Sequence, residues 1–223
     1  YVAAWTLCVL LVTSRRRRAT GAPAATLIVL PIVAWLAVAD WIAPFVPGWF
    51  SAAYGLQFLT GSTLSALALA TIAQSNTDRA RAADSTATGE GVDLATLLLT
   101  VASLWAYLWF CQHLLDWYDH DAAGAPFRER RAGGAWRVLY LGVPVLSWLV
   151  PFVMLLSARA KRVPCVRLAA AASATLGIAV DPASLLLPAL GDPQPTHVAA
   201  IPALLVLPIV VIARQRDQSR QGP

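Results

Sequence analysis

The stretch from residue 94 to residue 117, LATLLLTVASLWAYLWFCQHLLDW, decides the fold class of this protein. It contains no Asp, Glu, Lys or Arg before Asp116, and as an α-helix rising 1.5 Å per residue it extends about 36 Å. A bilayer core about 30 Å thick is crossed by about 20 predominantly apolar residues. The stretch therefore predicts a transmembrane helix.

Apolar blocks of the same kind fill most of the chain. Of its 223 residues 58% are hydrophobic and 13% are charged, whereas an ordinary soluble domain carries about 25% charged residues. The apolar residues form long runs and not the one-sided stripes that leave a face for water. The sequence thus predicts an all-α, polytopic transmembrane helix bundle surrounded by lipids.

About seven spans are predicted, forming a bundle over residues 1–213 that is followed by a polar cytoplasmic tail, 214–223. The first block reaches only about 20 Å at the helical rise, so we expect it to be incomplete and preceded by further residues. The predicted blocks are 1–13, 23–46, 52–74, 94–117, 136–158, 166–180 extended by 185–190, and 197–213.

Lysine and arginine are unevenly distributed between the two sets of loops. One set holds the arginine run 15–18, Arg79 and Arg81, the basic residues of 159–167 and the arginines after 213; the other set holds Arg128, Arg130, Arg131 and Arg137. Because loops rich in Lys and Arg stay in the cytoplasm, the C-terminus is predicted to be cytoplasmic and segment 118–135 to lie outside. The polar segment 75–92 is predicted to be a cytoplasmic loop. Basic clusters placed in this way are topology signals and do not indicate a nucleic-acid partner.

Three acidic residues lie at the predicted outer ends of spans: Asp40, Asp116 and Asp181. Ionisable groups at membrane depth are costly and are therefore functional candidates. Gln112 lies four residues before Asp116 on the same helix face, and Trp109 continues that face toward the middle of the span. A carboxylate beside an amide and aromatic rings can hold the hydroxyl group of a quinol and take its proton. The alternative is that these acids are interfacial residues within an aromatic belt.

Two histidines, His113 and His197, also lie near the predicted outer face, so a bis-histidine haem b site is one interpretation. A packed or interfacial histidine is the other. The chain has no CxxCH motif and no set of four cysteines for an iron–sulfur cluster. We therefore predict no covalently bound cofactor and no metal site, and a quinone is the ligand to consider.

Three stretches together resemble the ActF family, the membrane subunits of that name in alternative complex III, a quinol:cytochrome c oxidoreductase. They are DWIAPFVPGWFSAAYGLQFLTGSTLSALAL at 40–69, DLATLLLTVASLWAYLWFCQHLLDWYDHD at 93–121, and GGAWRVLYLGVPVLSWLVPFVMLLSARAKR at 133–162. Their order and spacing are similar to those of the family from about residue 40 to residue 162. The acidic turn that usually follows the Trp-Tyr pair of the family is replaced here by Asp119-His120-Asp121-Ala122.

The resemblance implies an accessory, non-redox subunit of a quinol-oxidising respiratory complex in the bacterial inner (cytoplasmic) membrane. It implies packing beside other membrane subunits, including a polysulfide-reductase-like homologue, with electrons passing to iron–sulfur and multihaem cytochrome subunits. Family members are usually longer, so the chain would correspond to their C-terminal part. On this hypothesis Asp116, Gln112, Asp40, Asp181 and His113 are the candidates for quinone or proton handling.

Two other functions are consistent with a chain of this composition. A free-standing transporter or proton channel would need matched broken helices around a midplane site, and the sequence shows kinking prolines without symmetry between its halves. A haem b membrane anchor would depend on the two histidines alone.

Overall fold

The structure, a computed structural model, describes residues 29–46 (with gaps at 30, 34, 39 and 41), 51, 53–81, 89–118 and 124–191. Within these residues every regular element is helical. A leading segment, residues 29–46, ends in a 3-10 turn at Ala43–Phe45. The helices that follow are α1, Tyr54–Arg81; α2, Gly89–Tyr118; α3, Ala125–Ala132; α4, Gly134–Leu155; and α5, Pro164–Leu190.

Four of these helices, α1, α2, α4 and α5, are long and apolar enough to cross a membrane. They form a bundle in which α1 packs against α2 and α5, and α4 packs against the same two neighbours. Leu64, Leu98 and Trp105 are fully buried in its core. Three of the four buried α5 residues in this core are alanines, which let neighbouring helix backbones approach closely; they are Ala170, Ala171 and Ala174, and the fourth is Val180. Four such helices in one chain indicate a multi-pass membrane protein.

These four helices confirm the all-α prediction and four of the predicted spans, 52–74, 94–117, 136–158 and the extended block that starts at 166. The leading segment covers part of the predicted block 23–46. Blocks 1–13 and 197–213 and the tail 214–223 lie outside the described residues. The total of seven spans and the cytoplasmic C-terminus therefore stay predictions.

The predicted cytoplasmic loop 75–92 is wrong in its extent. α1 continues to Arg81 and α2 already begins at Gly89. Asp78, one of the polar residues of this segment, is buried and forms an ion pair with Arg167 of α5. Because its charge has a partner inside the bundle, the helix does not need to end before it.

The Asp78–Arg167 pair lies at the end of the bundle that is predicted to face the cytoplasm, which we call the inner end. The Gln74 side chain donates to Asp78 Oδ1 at 3.1 Å, and Arg167 Nη1 donates to the carbonyl of Lys161 at 2.9 Å. Gly91 of α2 lies against the pair, and a Cβ there would come within 2.8 Å of the Arg167 guanidinium carbon. The pair thus joins α1, α2 and α5 at one level.

One turn of α4, Val145–Leu149, is π-helical and lies between α-helical stretches Gly134–Pro144 and Val150–Leu155. Ser173 of α5 donates its hydroxyl to the carbonyl of Leu146 at 2.8 Å. Gly177 of α5 faces Ser147 so closely that a Cβ would lie 2.7 Å from the Ser147 backbone nitrogen. α5 therefore supports the wide turn by close packing and by a hydrogen bond.

Segment 118–135, predicted to be external because the opposite set of loops holds more Lys and Arg, contains the short helix α3, which that reasoning did not anticipate. α3 lies at the same end of the bundle as the C-terminus of α5. Arg130 donates to the carbonyl of Pro188 at 2.9 Å, and the Trp136 indole donates to the carbonyl of Gly191 at 3.1 Å. These donors satisfy carbonyls that the end of a helix leaves without partners.

Candidate functional site

The last turns of α2 carry a group of polar side chains at the opposite end of the bundle, which is predicted to face outward and which we call the outer end. Gln112 and Asp116 are one turn apart, and Gln112 Nε2 donates to Asp116 Oδ1 at 3.0 Å. Gln112 is buried, and its carbonyl oxygen accepts a hydrogen bond from the hydroxyl of Ser51. The same Ser51 oxygen accepts the backbone N–H groups of Ala53 and Tyr54 at 3.2 and 3.1 Å. Ser51 thus caps the start of α1 and fixes the amide of Gln112.

The charge partner of Asp116 comes from α3. Arg131 Nη1 lies 3.2 Å from Asp116 Oδ2, and the two side chains are 10% and 19% exposed. The Arg131 guanidinium also lies over the ring of Tyr140, 4.1 Å from its centroid. An arginine stacked on an aromatic face and bonded to a carboxylate is held in one orientation. Asp116 is therefore fixed from both sides, by Gln112 and by Arg131.

An aromatic group adjoins this pair. His113 Nδ1 and the hydroxyl of Tyr140 are 2.8 Å apart. The Trp109 ring is stacked on His113, with centroids 5.6 Å apart and planes 8° from parallel, and lies 5.0 Å from the Tyr140 ring. His113 therefore has one ring nitrogen fixed by Tyr140 and one face covered by Trp109.

Asp116, His113, Arg131 and Tyr140 share the wall of one cavity, of about 170 Å³. Trp117, Arg128 and Ala132 complete its lining. The cavity offers a carboxylate and an imidazole that can exchange protons, and two arginines that can compensate negative charge. We name it the outer cavity. It is suited to a small planar molecule with hydroxyl or carbonyl groups.

Asp181 lies in different surroundings, although at the same end of the bundle. It is 7% exposed, its side chain is hydrogen-bonded to that of Gln57, and Arg131 is near enough to act on its charge. It lines a groove of about 400 Å³ between α1 and α5, together with Phe58 and Pro182 among others. The groove does not share its lining residues with the outer cavity.

The five candidates from the sequence thus occupy four kinds of position. Asp116 and His113 line the outer cavity, and Gln112 lies behind Asp116 without being part of the lining. Asp181 lines the neighbouring groove. Asp40 is an exposed residue of the leading segment and is not among the lining residues of either.

Sequence reasoning missed Arg131, Arg128 and Tyr140, which supply much of the cavity wall. In the sequence, Arg128 and Arg131 count only as loop charges that indicate topology. Their position shortly after the helix that carries Asp116 is the only local sign that they contribute to a site. Tyr140 follows Trp136 by one helical turn, which places both on one face at the start of α4. Ser51 gives no signal, because its role depends on a contact with Gln112.

The histidine pair considered for haem b is described only in part, because His197 lies outside the described residues. Across the stretches that the structure describes, no three His, Cys, Asp or Glu side chains are grouped as metal ligands. No protein-family model matches the chain, and no curated protein is significantly similar to it.

Proposed function

We propose that the chain is an integral membrane subunit of a quinol-oxidising respiratory complex of the alternative complex III type, and that the outer cavity binds a quinone or quinol. The single observation that carries the ligand assignment is the grouping of Asp116, His113, Tyr140 and Arg131 around one cavity. The sequence resemblance over residues 40–162 supports the assignment to the complex. The proposed setting is the bacterial inner membrane, with the cavity toward the outer face.

Oxidation of a quinol releases two electrons and two protons. In this proposal the Asp116 carboxylate accepts a hydrogen bond from one hydroxyl and then takes its proton, since a base within hydrogen-bond reach is what the reaction needs. His113, the second basic group on the wall, takes the other proton, and Arg131 compensates the negative charge that forms on the ring oxygens between the two proton transfers. The electrons pass to iron–sulfur and multihaem cytochrome subunits, beside a polysulfide-reductase-like membrane partner.

Purification of the full gene product from its native membranes in mild detergent tests this function. We expect multihaem cytochrome and iron–sulfur subunits to co-migrate with it, and the preparation to reduce an electron acceptor when a quinol is added. A monodisperse single species, without haem absorbance and without quinone binding after reconstitution in lipid, would overturn the proposal.

A further inference from the structure

A second cavity lies between α2 and α4, with a volume of about 490 Å³. Five aromatic side chains and a proline form most of its wall: Tyr107, Trp109, Phe110, Trp148, Phe152 and Pro144. No lining residue is charged. The volume lies within the range of about 300–1,000 Å³ that is typical of small-molecule sites. We name it the aromatic cleft.

The π-helical turn of α4 provides one wall of the aromatic cleft. Trp148 belongs to that turn and packs against Phe152, with ring centroids 5.4 Å apart. An extra residue within one turn rotates the side chains that follow relative to those before it. Ser173 and Gly177 hold the opposite side of the turn against α5. The shape of the cleft is therefore fixed by packing within the bundle.

Trp109 lies between the aromatic cleft and the outer cavity. Its side chain lines the cleft, and its ring is stacked on His113, which lines the outer cavity. Tyr140, 5.0 Å from Trp109 by ring centroids, belongs to the same outer wall. One aromatic side chain thus separates a polar cavity at the outer end from an uncharged aromatic cleft closer to the middle of the span.

We infer that the aromatic cleft holds the isoprenoid tail of the same quinone whose ring occupies the outer cavity. This inference rests on the proposed function. A polyprenyl quinone has a polar ring attached to an apolar, branched chain, and the two cavities present these two chemistries in that order. Because a tail in the membrane is already surrounded by hydrocarbon, its gain comes from packing against aromatic walls and not from leaving water.

Two probes with the same ring separate the parts of the site: menadione, which has no isoprenoid tail, and menaquinone-4, which has one. Binding of each radiolabelled probe is measured on the full protein in lipid nanodiscs, after subtraction of uptake by empty nanodiscs. We expect menaquinone-4 to bind about tenfold more tightly than menadione, since aromatic packing of the tail adds many weak contacts.

The variant Ala106→Trp fills the aromatic cleft from α2. We expect it to abolish the advantage of menaquinone-4 while menadione binds as before, which also shows that the outer cavity is intact. Leu104→Trp is the matched control, because Leu104 lies on α2, is 51% exposed and does not line the cleft. If Ala106→Trp does not fold, Phe152→Ala removes part of the wall without crowding and should reduce the same advantage.

Equal affinity of the unchanged protein for both probes would overturn the tail site and leave the proposed function standing. An advantage for menaquinone-4 that survives both Ala106→Trp and Phe152→Ala would also overturn it. Binding of neither probe to the unchanged protein would overturn the proposed function and the tail site together.

Discussion

Asp116 lies near the end of a membrane span. The two oxygens of its carboxylate have partners on two different helices. Oδ1 accepts from Gln112 on its own helix, and Oδ2 is paired with Arg131 of α3. A partly buried charge without a partner would be costly. The ion pair therefore explains how this acid can lie beside aromatic rings, and it leaves Asp116 on the wall of the outer cavity.

Replacing Asp116 by Asn keeps the size of the side chain and removes its ability to take a proton. In the intact complex we expect quinol oxidation to fall by about 100-fold, the lower end of what a positioned general base contributes. Asp93→Asn is the control, because Asp93 is an exposed residue at the inner end of the same helix. Unchanged turnover in Asp116→Asn would return this residue to an interfacial role.

At the scale of the helices, a buried ion pair connects α1 to α5 at the inner end of the bundle. Asp78 of α1 and Arg167 of α5 are 4% and 1% exposed. Such a pair gives little net stability relative to an apolar pair, but removal of one partner leaves an uncompensated buried charge. Farther along α5, direct backbone approach joins this helix to α4 at Gly177 and Ser147.

Either Asp78→Leu or Arg167→Met alone should lower the free energy of unfolding by about 3–5 kcal/mol, because each leaves the opposite charge buried. The double variant should recover most of this loss, since neither charge then remains. Thermal unfolding in detergent of the two single variants and the double variant gives the coupling energy. Additive losses in the double variant would show that the two side chains are not coupled.

Gly177→Ala should destabilise the protein by about 1–3 kcal/mol, the usual cost of crowding a packed core. The added methyl group would lie 2.7 Å from the Ser147 nitrogen and closer still to its hydroxyl. Gly142→Ala on α4 is the matched control, since a Cβ added there would meet no atom within 4 Å apart from its chain neighbours and the nearby backbone of its own helix. Thermal unfolding of both variants measures the difference. If Gly177→Ala were as stable as Gly142→Ala, the close approach of α5 to the π-helical turn would be contradicted.

At the scale of the whole molecule, the charged groups described above lie at the two ends of the bundle. The outer end carries the outer cavity, Asp181 and α3, and the inner end carries the Asp78–Arg167 pair and the basic residues near 159–162. Arginines on the predicted outer side have local roles, since Arg131 pairs with Asp116 and Arg130 donates to the carbonyl of Pro188. The positive-inside rule predicts few basic residues on the outer side. These contacts explain why some arginines are nevertheless found there.

The orientation can be tested in a background without the native cysteines. We expect Ala135→Cys, at the outer start of α4, to react with a membrane-impermeant maleimide in intact spheroplasts. Ala158→Cys, beyond the inner end of α4, should react only after the membrane is opened. Both positions are exposed, so access to the reagent depends on the side of the membrane. The reverse labelling pattern would invert the predicted topology.

The amino-acid sequence by itself determined that the described part of the chain is helical and where four candidate spans lie. Span length and hydropathy are local properties, so residues 94–117 predict a membrane helix without knowledge of its neighbours. The pairing of Gln112 with Asp116 was also predictable, because residues four apart lie on one face of a helix.

Tertiary structure alone decided which side chains share a site. Arg131 reaches Asp116 from a separate helix, Tyr140 meets His113 across the bundle, and Asp181 faces a different groove from Asp116. The structure also showed that Asp78 belongs to a helix. Its buried charge is compensated by Arg167, which is far away in the chain, so the sequence around Asp78 gave no sign of this partner. Such contacts depend on how helices pack and rotate against one another, and this depends on the shapes of all facing side chains and not on any one stretch of sequence.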